Sequence, residues 1–320
     1  MDSKNIRIVF MGTPEFAVGS LRALVEGGYN VVGVVTMPDK PAGRGHKIQF
    51  SDVKQYALEH NLPLLQPEKL KDETFLQQLR EWNADLQIVV AFRMLPEVVW
   101  SMPKLGTFNL HGSLLPQYRG AAPINWAIIN GDTVTGVTTF MLDKDIDTGN
   151  IILQESTPIA PEDNIGTVYD RLMQIGSKLV TRTVDIIASG DVHPLPQNND
   201  ISLRPAPKIF KDTCRLSFGK PVEQVHNLVR GLSPYPAAWF EFEDSKGETK
   251  TMKVYETFID RSEISVPVGT VVTDGKKTLK IACADGYLCL KSVQLSGKRR
   301  MDVQELLCGA KMNDIKIITE

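Results

Sequence analysis

The sequence predicts an α/β protein: a mostly parallel sheet covered by helices, followed by a smaller β-barrel or sandwich. Three observations carry this prediction. Through the first half, apolar strand-like runs alternate with amphipathic helical ones, which is the rhythm of βαβ units. Residues 190–208 interrupt it with Pro194, Pro196, Pro205 and Pro207 beside Asn198 and Asn199, a linker composition. Beyond them, short apolar runs recur between turn residues. In a chain of 320 residues with 42% hydrophobic side chains, two cores are expected, because a single core stops growing at roughly 250–300 residues. The expected domains are 1–189, a linker at 190–208, and 209–320.

Ile6 to Met11 reads as a buried strand. Thr13-Pro14-Glu15 follows as an N-cap, a first-turn proline and an acid. Ala17, Leu21, Leu24 and Val25 keep helical spacing until Gly27-Gly28 stops the helix. A strand is expected at Val31–Val35, helices around Asp52–His60 and Glu68–Trp82, and strands at Leu86–Phe92, Thr107–His111 and Gly136–Leu142. A long helix is expected near Thr167–Ala188. After the linker, a helix near Val222–Arg230 precedes strands at Ala238–Glu243, Met252–Phe258, Gly269–Thr273, Leu279–Ala282 and Tyr287–Leu295. A helix at Val303–Cys308, behind an Asp302-x-x-Glu305 capping pattern, closes the chain.

The start of the chain lacks a secretory pattern, and no run approaches the ~20 apolar residues of a membrane span. Cys214, Cys283, Cys289 and Cys308 lack metal-ligand spacing, so reduced thiols in a cytoplasmic protein without metal are expected. The net charge of −2 hides an asymmetry. Residues 1–200 hold 17 Lys and Arg against 23 Asp and Glu, whereas residues 201–320 hold 19 against 15. A basic second half points to a polyanionic partner.

The most informative segment is Asn109-Leu110-His111-Gly112-Ser113-Leu114-Leu115-Pro116, continuing to Tyr118-Arg119-Gly120-Ala121-Ala122-Pro123. Strand alternation puts Asn109 and His111 on one face, side by side where the strand ends. In open α/β sheets that end is where ligands bind. An amide donor beside a titratable ring suits carbonyl polarisation and transfer of one proton, the needs of acyl transfer. An Asn-x-His pair taken alone is more often two satisfied polar groups at a strand end. The longer run resembles the folate-dependent formyltransferases, in which Asn and His flank the formyl group and the Ser-Leu-Leu-Pro stretch helps bind the folate.

The same resemblance assigns the Asp of Asp147-Thr148-Gly149 to a catalytic trio with Asn109 and His111, and Ser113, Leu114, Leu115 and Pro116 to the cofactor, 10-formyltetrahydrofolate. A carboxylate near His111 would orient it and favour its protonated form. Two departures stand out. Asp145 occupies a position where the family has glycine, and Ala91-Phe92-Arg93-Met94-Leu95-Pro96 is one residue short, with Arg93 where glycine is common. The Asp143–Asp147 run lacks the glycine and distal Glu of a calcium loop.

Asp39-Lys40-Pro41-Ala42-Gly43-Arg44-Gly45-His46-Lys47 reads from composition as a surface loop and is not a P-loop. Its Pro-Ala-Gly-Arg-Gly stretch resembles the insertion by which the methionyl-tRNA branch of the family grips initiator tRNA. Arg44 would be the main contact, with Lys40, Lys47 and, after the linker, Lys208 attracting phosphates. Met11 to Ala17, Pro158 to Asp163, Gly166 to Asp170 and Ser233 to Trp239 extend the likeness over nearly the whole chain. It implies a Rossmann-like catalytic domain and an OB-like barrel that supports tRNA binding, in a monomer. The rival readings are formyl transfer to a sugar nucleotide, to another amine or to water, a nicotinamide enzyme, and a non-catalytic RNA-binding protein. Met11 to Ala17 lacks the dinucleotide glycines, which weighs against the nicotinamide reading. His60, His193 and His226 show no partner pattern in sequence.

Overall fold

The computed structural model describes residues 2–42, 47–200 and 202–318. They form two compact units: Met1–Pro123 with Thr135–Thr157 and Tyr169–Pro205, and Ile124–Val134 with Pro158–Val168 and Ala206–Glu320.

In chain order the elements up to residue 189 are β1 (Ile8–Gly12), α1 (Glu15–Glu26), β2 (Val31–Val35), β3 (Lys40–Ala42), β4 (Lys47–Gln49), α2 (Asp52–Glu59), β5 (Leu64–Leu65), α3 (Glu73–Glu81), β6 (Leu86–Val90), α4 (Glu97–Trp100), β7 (Thr107–His111), α5 (Pro123–Ile129), β8 (Val134–Met141), β9 (Ile151–Pro158) and α6 (Ile165–Ser189). The main sheet of the first unit has the order β5-β2-β1-β6-β7-β8-β9. β1 pairs in parallel with β2 and β6, β2 with β5, and β6 with β7, while β8 runs antiparallel to β7. It is the Rossmann-like, mostly parallel sheet that was expected. The chain fills one side of β1 with β2 and β5, then returns to place β6 on the other. That reversal makes the β1–β6 junction the switch point, outside whose carboxyl edge such sheets bind ligands.

Apolar continuity explains why β1 and β6 are buried along their whole length. Several boundaries differ from the sequence reading. Thr13 does not cap α1: Pro14 is the N-cap residue, and the Thr13 hydroxyl is buried without a partner. The free Phe16 amide instead donates to the Tyr169 hydroxyl of α6, 2.9 Å away, and burial pushes that phenol up to about 12. α3 starts at Glu73 rather than Glu68, because Asp72 accepts from the Phe75 amide and fixes the first turn there. β6 stops at Val90, where Ala91 adopts a left-handed φ of 46°. β9, which sequence did not predict, is an edge strand whose centre, Gln154 to Ser156, is exposed and polar.

The second unit contains α7 (Val222–Leu232), β10 (Ala238–Glu243), β11 (Thr249–Asp260), β12 (Val271–Thr273), β13 (Leu279–Ala282), β14 (Tyr287–Leu295), β15 (Met301–Asp302), α8 (Val303–Gly309) and β16 (Lys316–Ile317). Its antiparallel, barrel-like sheet has the order β12-β13-β14-β11-β10-β16, with β15 on β14. Phe240 and Phe242 alternate inward from β10 and meet Phe218, Val254, Leu288 and Val293 in an apolar core. Phe218 and Phe240 pack edge to face at 5.5 Å. Asp302 precedes α8 as expected but makes no side-chain cap; the Glu305 side chain is taken by Arg299 instead.

Candidate functional site

β7 delivers the site, and its backbone register decides which side chains share a face. Asn109 lies opposite Val89 of β6 and Phe140 of β8, and His111 lies opposite Thr138. Two residues apart on one strand, Asn109 and His111 project to the same side. His111 is 7% exposed. Its Nε2 is 2.8 Å from the Tyr118 carbonyl oxygen. A carbonyl only accepts, so Nε2 carries the proton and the ring orientation is fixed. Nδ1 then faces the Asp147 carboxylate, 3.8 Å from Oδ2. Both ring nitrogens thus look at oxygen atoms.

Asp147 is itself held in place. Its Oδ2 accepts the Gly120 amide at 2.9 Å, and its backbone takes a left-handed φ of 57°. The buried Gln197 side chain donates to the carbonyls of Asp147 and Gly149, both at 2.9 Å. Arg119 in turn donates to Gln197 Oε1. Gly149 is required by space, since a Cβ there would sit 1.7 Å from the Met141 carbonyl oxygen. The Asp-Thr-Gly order is therefore set partly by packing: the glycine lets the loop close onto β8 so that the aspartate reaches the histidine.

The turn after β7 is bound to β8. Ser113 is fully buried and its hydroxyl donates to the Gln117 carbonyl at 2.6 Å. Thr138 donates to the Ser113 carbonyl and accepts from the Leu115 amide, and Gln154 donates to the Leu115 carbonyl. Leu115 is buried, Leu114 and Pro116 are half-buried, and the Leu115–Pro116 bond is cis. The Ser113 hydroxyl is thus spent on shaping the turn.

One strand over, Val90 at the end of β6 lies beside Leu110, so residues 91–96 leave the sheet next to His111. Leu70, Lys71, Arg93, Met94, Leu95 and Pro96 line a hollow of about 370 Å³, and none of Asn109, His111 or Asp147 is among its lining residues. Arg93 bends back to donate to the carbonyls of Pro67 and Glu68, and burial holds its guanidinium below the usual arginine value. Asp145 is exposed; its amide bonds the Asp143 carboxylate.

The structure brings His111 and Asp147 together, with Asn109 on the same face. Of the expected RNA contacts, Arg44 lies outside the described residues. Lys40 and Lys47 fall on paired positions of β3 and β4, Ala42 opposite Lys47. Lys208 is exposed, with Nζ 5.7 Å from the Phe210 ring centroid. Sequence reasoning missed Gln197, the Tyr118 carbonyl and the Gly120 amide. Gln197 sits in the proline-rich stretch that reads as linker, where nothing local marks it as buried. Among the described residues, no group of three His, Cys, Asp or Glu side chains could hold a metal, and no helix is long and apolar enough to cross a membrane. The cysteines are free, three of them buried.

Comparison with known proteins identifies the family. The formyl transferase family model matches residues 4–184, and the formyl transferase C-terminal domain model matches residues 208–311. A methionyl-tRNA formyltransferase from Bacteroides thetaiotaomicron is 63% identical over 317 residues, covering 98% of each chain. One from Flavobacterium johnsoniae is 53% identical, covering 97% of this chain and 98% of its own. Among solved structures, a Helicobacter canadensis N-formyltransferase in complex with folinic acid and dTDP-3-aminofucose aligns with a TM-score of 0.63 at 19% identity, covering 92% of this chain and all of its own. HypX from Aquifex aeolicus with tetrahydrofolic acid aligns at 0.61 and 18% identity, over 95% of this chain and 47% of its own. At these identities the structural matches establish the shared fold. The chain belongs to the methionyl-tRNA formyltransferase family.

Proposed function

We propose that the chain transfers the formyl group of 10-formyltetrahydrofolate to the α-amine of methionyl-initiator tRNA, with Asn109, His111 and Asp147 as its catalytic residues. The observation that carries the reading is the buried His111–Asp147 pair at 3.8 Å beside Asn109. The neutral amine attacks the formyl carbon, a C–N bond forms, and the carbonyl pair moves onto oxygen. The Asn109 amide donates to that oxyanion, a donor that typically contributes about 10²–10³ in rate, and the His111 Nδ1, the ring nitrogen not committed to the Tyr118 carbonyl, is the His111 atom that faces it. Asp147 accepts the proton shed by the amine. The intermediate collapses, the bond to folate N10 breaks, and N10 takes up, by way of His111, the proton that Asp147 accepted from the amine. A gap of 3.8 Å is too long for a hydrogen bond. The proton therefore passes between Asp147 and His111 through a bound substrate atom, or after the small closure that catalytic contacts show on binding.

In this reading the first unit does the chemistry. The turn at Ser113–Pro116 shapes the folate site, and Arg44, Lys40, Lys47 and Lys208 hold tRNA. High identity to methionyl-tRNA formyltransferases supports the acceptor over an amino sugar. The test is formyl transfer from 10-formyltetrahydrofolate to methionylated initiator tRNA, with elongator tRNA, free methionine and a dTDP-amino sugar as alternative acceptors. Transfer to initiator tRNA is expected, with kcat lowered about 10²–10³-fold in His111→Ala and Asn109→Ala. Near-wild-type turnover in Asn109→Ala, His111→Ala and Asp147→Asn together would reject the site. Preference for the sugar would reject the acceptor.

A further inference from the structure

We infer that Arg119 and Gln197 are positioning residues: their side chains, bonded to each other, fix how far the Asp147 carboxylate stands from the His111 ring, a role that rests on the formylation reading for its chemistry. Both act through Asp147 rather than on substrate.

Three consecutive residues hold the reacting pair. The Tyr118 carbonyl accepts from His111 Nε2 at 2.8 Å, and the Gly120 amide donates to Asp147 Oδ2 at 2.9 Å. The histidine and the aspartate are therefore fastened on either side of residue 119. Any shift of the 118–120 backbone changes their separation, which is 3.8 Å. Tyr118 and Asp147 both hold left-handed φ values, 61° and 57°. A residue other than glycine keeps that conformation only where its surroundings over-determine it. Something outside each turn must pin it.

Arg119 and Gln197 do so. Gln197 is buried, and its Nε2 donates to the carbonyls of Asp147 and Gly149. Its Oε1 accepts from Arg119 twice, from Nε at 3.0 Å and from Nη2 at 2.6 Å. Nη2 also reaches Asn199 Oδ1 at 2.8 Å. The Gln197 amide is thus held one way round, its nitrogen towards the Asp147 loop and its oxygen towards Arg119. The stretch that carries Gln197 is tied down on both sides. Leu195 exchanges two backbone bonds with Ile151, and the Arg204 carbonyl accepts from the Tyr118 amide, all at 2.8 Å. Gln117 bonds the Ser202 carbonyl and the Arg204 amide, both at 2.9 Å. A closed ring results, running Asp147–Gln197–Arg119–Gly120 and back to Asp147. A bridge that served stability alone could end anywhere along the loop. This one ends on Asp147 itself, at its carbonyl and, through Gly120, at its carboxylate.

Steady-state formyl transfer by single and double variants tests the role. Urea midpoints and the stoichiometry of tetrahydrofolate binding show that each variant is folded. Gln197→Glu keeps the shape and the arginine's partner but turns a carboxylate towards two carbonyls. Gln197→Met and Arg119→Met remove the bridge. Each is expected to lower kcat about 10²-fold, the scale of a misplacement near 1 Å, with KM for folate and for tRNA within about twofold. Arg119→Lys, which keeps a donor, should retain more of the rate than Arg119→Met. The readout that a merely structural role would not move is the cycle with Asp147→Asn. Adding Gln197→Met to Asp147→Asn should lower kcat by less than about twofold more, whereas independent effects would multiply. The same cycle with Gln197→Glu or Arg119→Lys decides where a methionine variant does not fold. Multiplying losses overturn the positioning role and leave the formylation site standing. So does wild-type kcat in every bridge variant while Asp147→Asn is slow, or a raised KM at unchanged kcat. Wild-type turnover in Asp147→Asn and His111→Ala would instead sink the formylation site, and the positioning role with it.

Discussion

The carboxyl edge of the parallel sheet and the outer face of the barrel follow opposite plans. Around the site in the sheet unit, polar side chains are drawn inward and bonded: His111, Ser113, Thr138 and Gln197 are all buried and hydrogen-bonded. In the barrel unit the interior is almost wholly apolar, and strand-borne Lys250, Lys280 and Lys291 pair with carboxylates outside. The difference follows from strand direction. Parallel strands all end at one edge, so polar groups from several of them meet there and can be buried together. Antiparallel strands end alternately at both edges, so polar groups spread over a face, where each is solvated or paired singly. Convergent chemistry belongs to the first arrangement, an extended contact surface to the second.

The sharpest way to break the comparison is to add one carbon in each unit. Gly149→Ala would press a methyl against the Met141 backbone at 1.7 Å, whereas a Cβ at Gly219 in the barrel unit meets nothing within 4 Å. Gly149→Ala is expected to cost more than about 4 kcal/mol and to lower kcat, because the loop carrying Asp147 must move. Gly219→Ala is expected to stay within about 1 kcal/mol of wild type. Equal denaturant midpoints for the two variants would show that the Asp147 loop is not held by packing.

A smaller effect concerns a polar side chain in the barrel unit. His226 bonds the Thr257 hydroxyl at 2.8 Å. Burial pushes its imidazole down to about 4, Arg230 adding to the shift and Glu223 opposing it. A value depressed in the folded state means that the unfolded chain takes up the proton first. Its stabilising share is therefore complete above pH ~6.5 and is lost as pH falls towards 4, a loss of about 2 kcal/mol. Urea midpoints at pH 7 and pH 4.5 should differ less in His226→Gln than in wild type, and an equal difference would remove His226 as the cause. Smallest of all, Lys291→Gln breaks a pair whose lysine is 66% exposed, and unfolding should shift by no more than about 0.5 kcal/mol. A larger loss would mean that the barrel depends on its outer charges.

Much of the fold was legible. β2, β7, β10, β13 and β14 begin and end where the apolar pattern places them, because each buries at least one continuous face. β9 was not legible: an edge strand has little apolar pattern to display. Nor was the start of α1, whose free amide is met by Tyr169, far along the chain, and not by the neighbouring Thr13. Within the site, the pairing of Asn109 with His111 follows from strand periodicity alone, while Asp147 entered through family resemblance. Gln197, which clamps the Asp147 loop from a segment that reads as linker, had no signal in sequence.

The sequence by itself determined what is local: strand alternation, helix periodicity, the turn-forming glycines and the motif that places an amide and an imidazole on one strand face. Only the tertiary structure decided the 3.8 Å approach of Asp147 to His111 and the carbonyl that fixes the ring. Periodicity is a property of neighbouring residues, which sequence records directly. Contacts between residues tens of positions apart depend on how whole elements pack, and no short stretch of sequence contains that information.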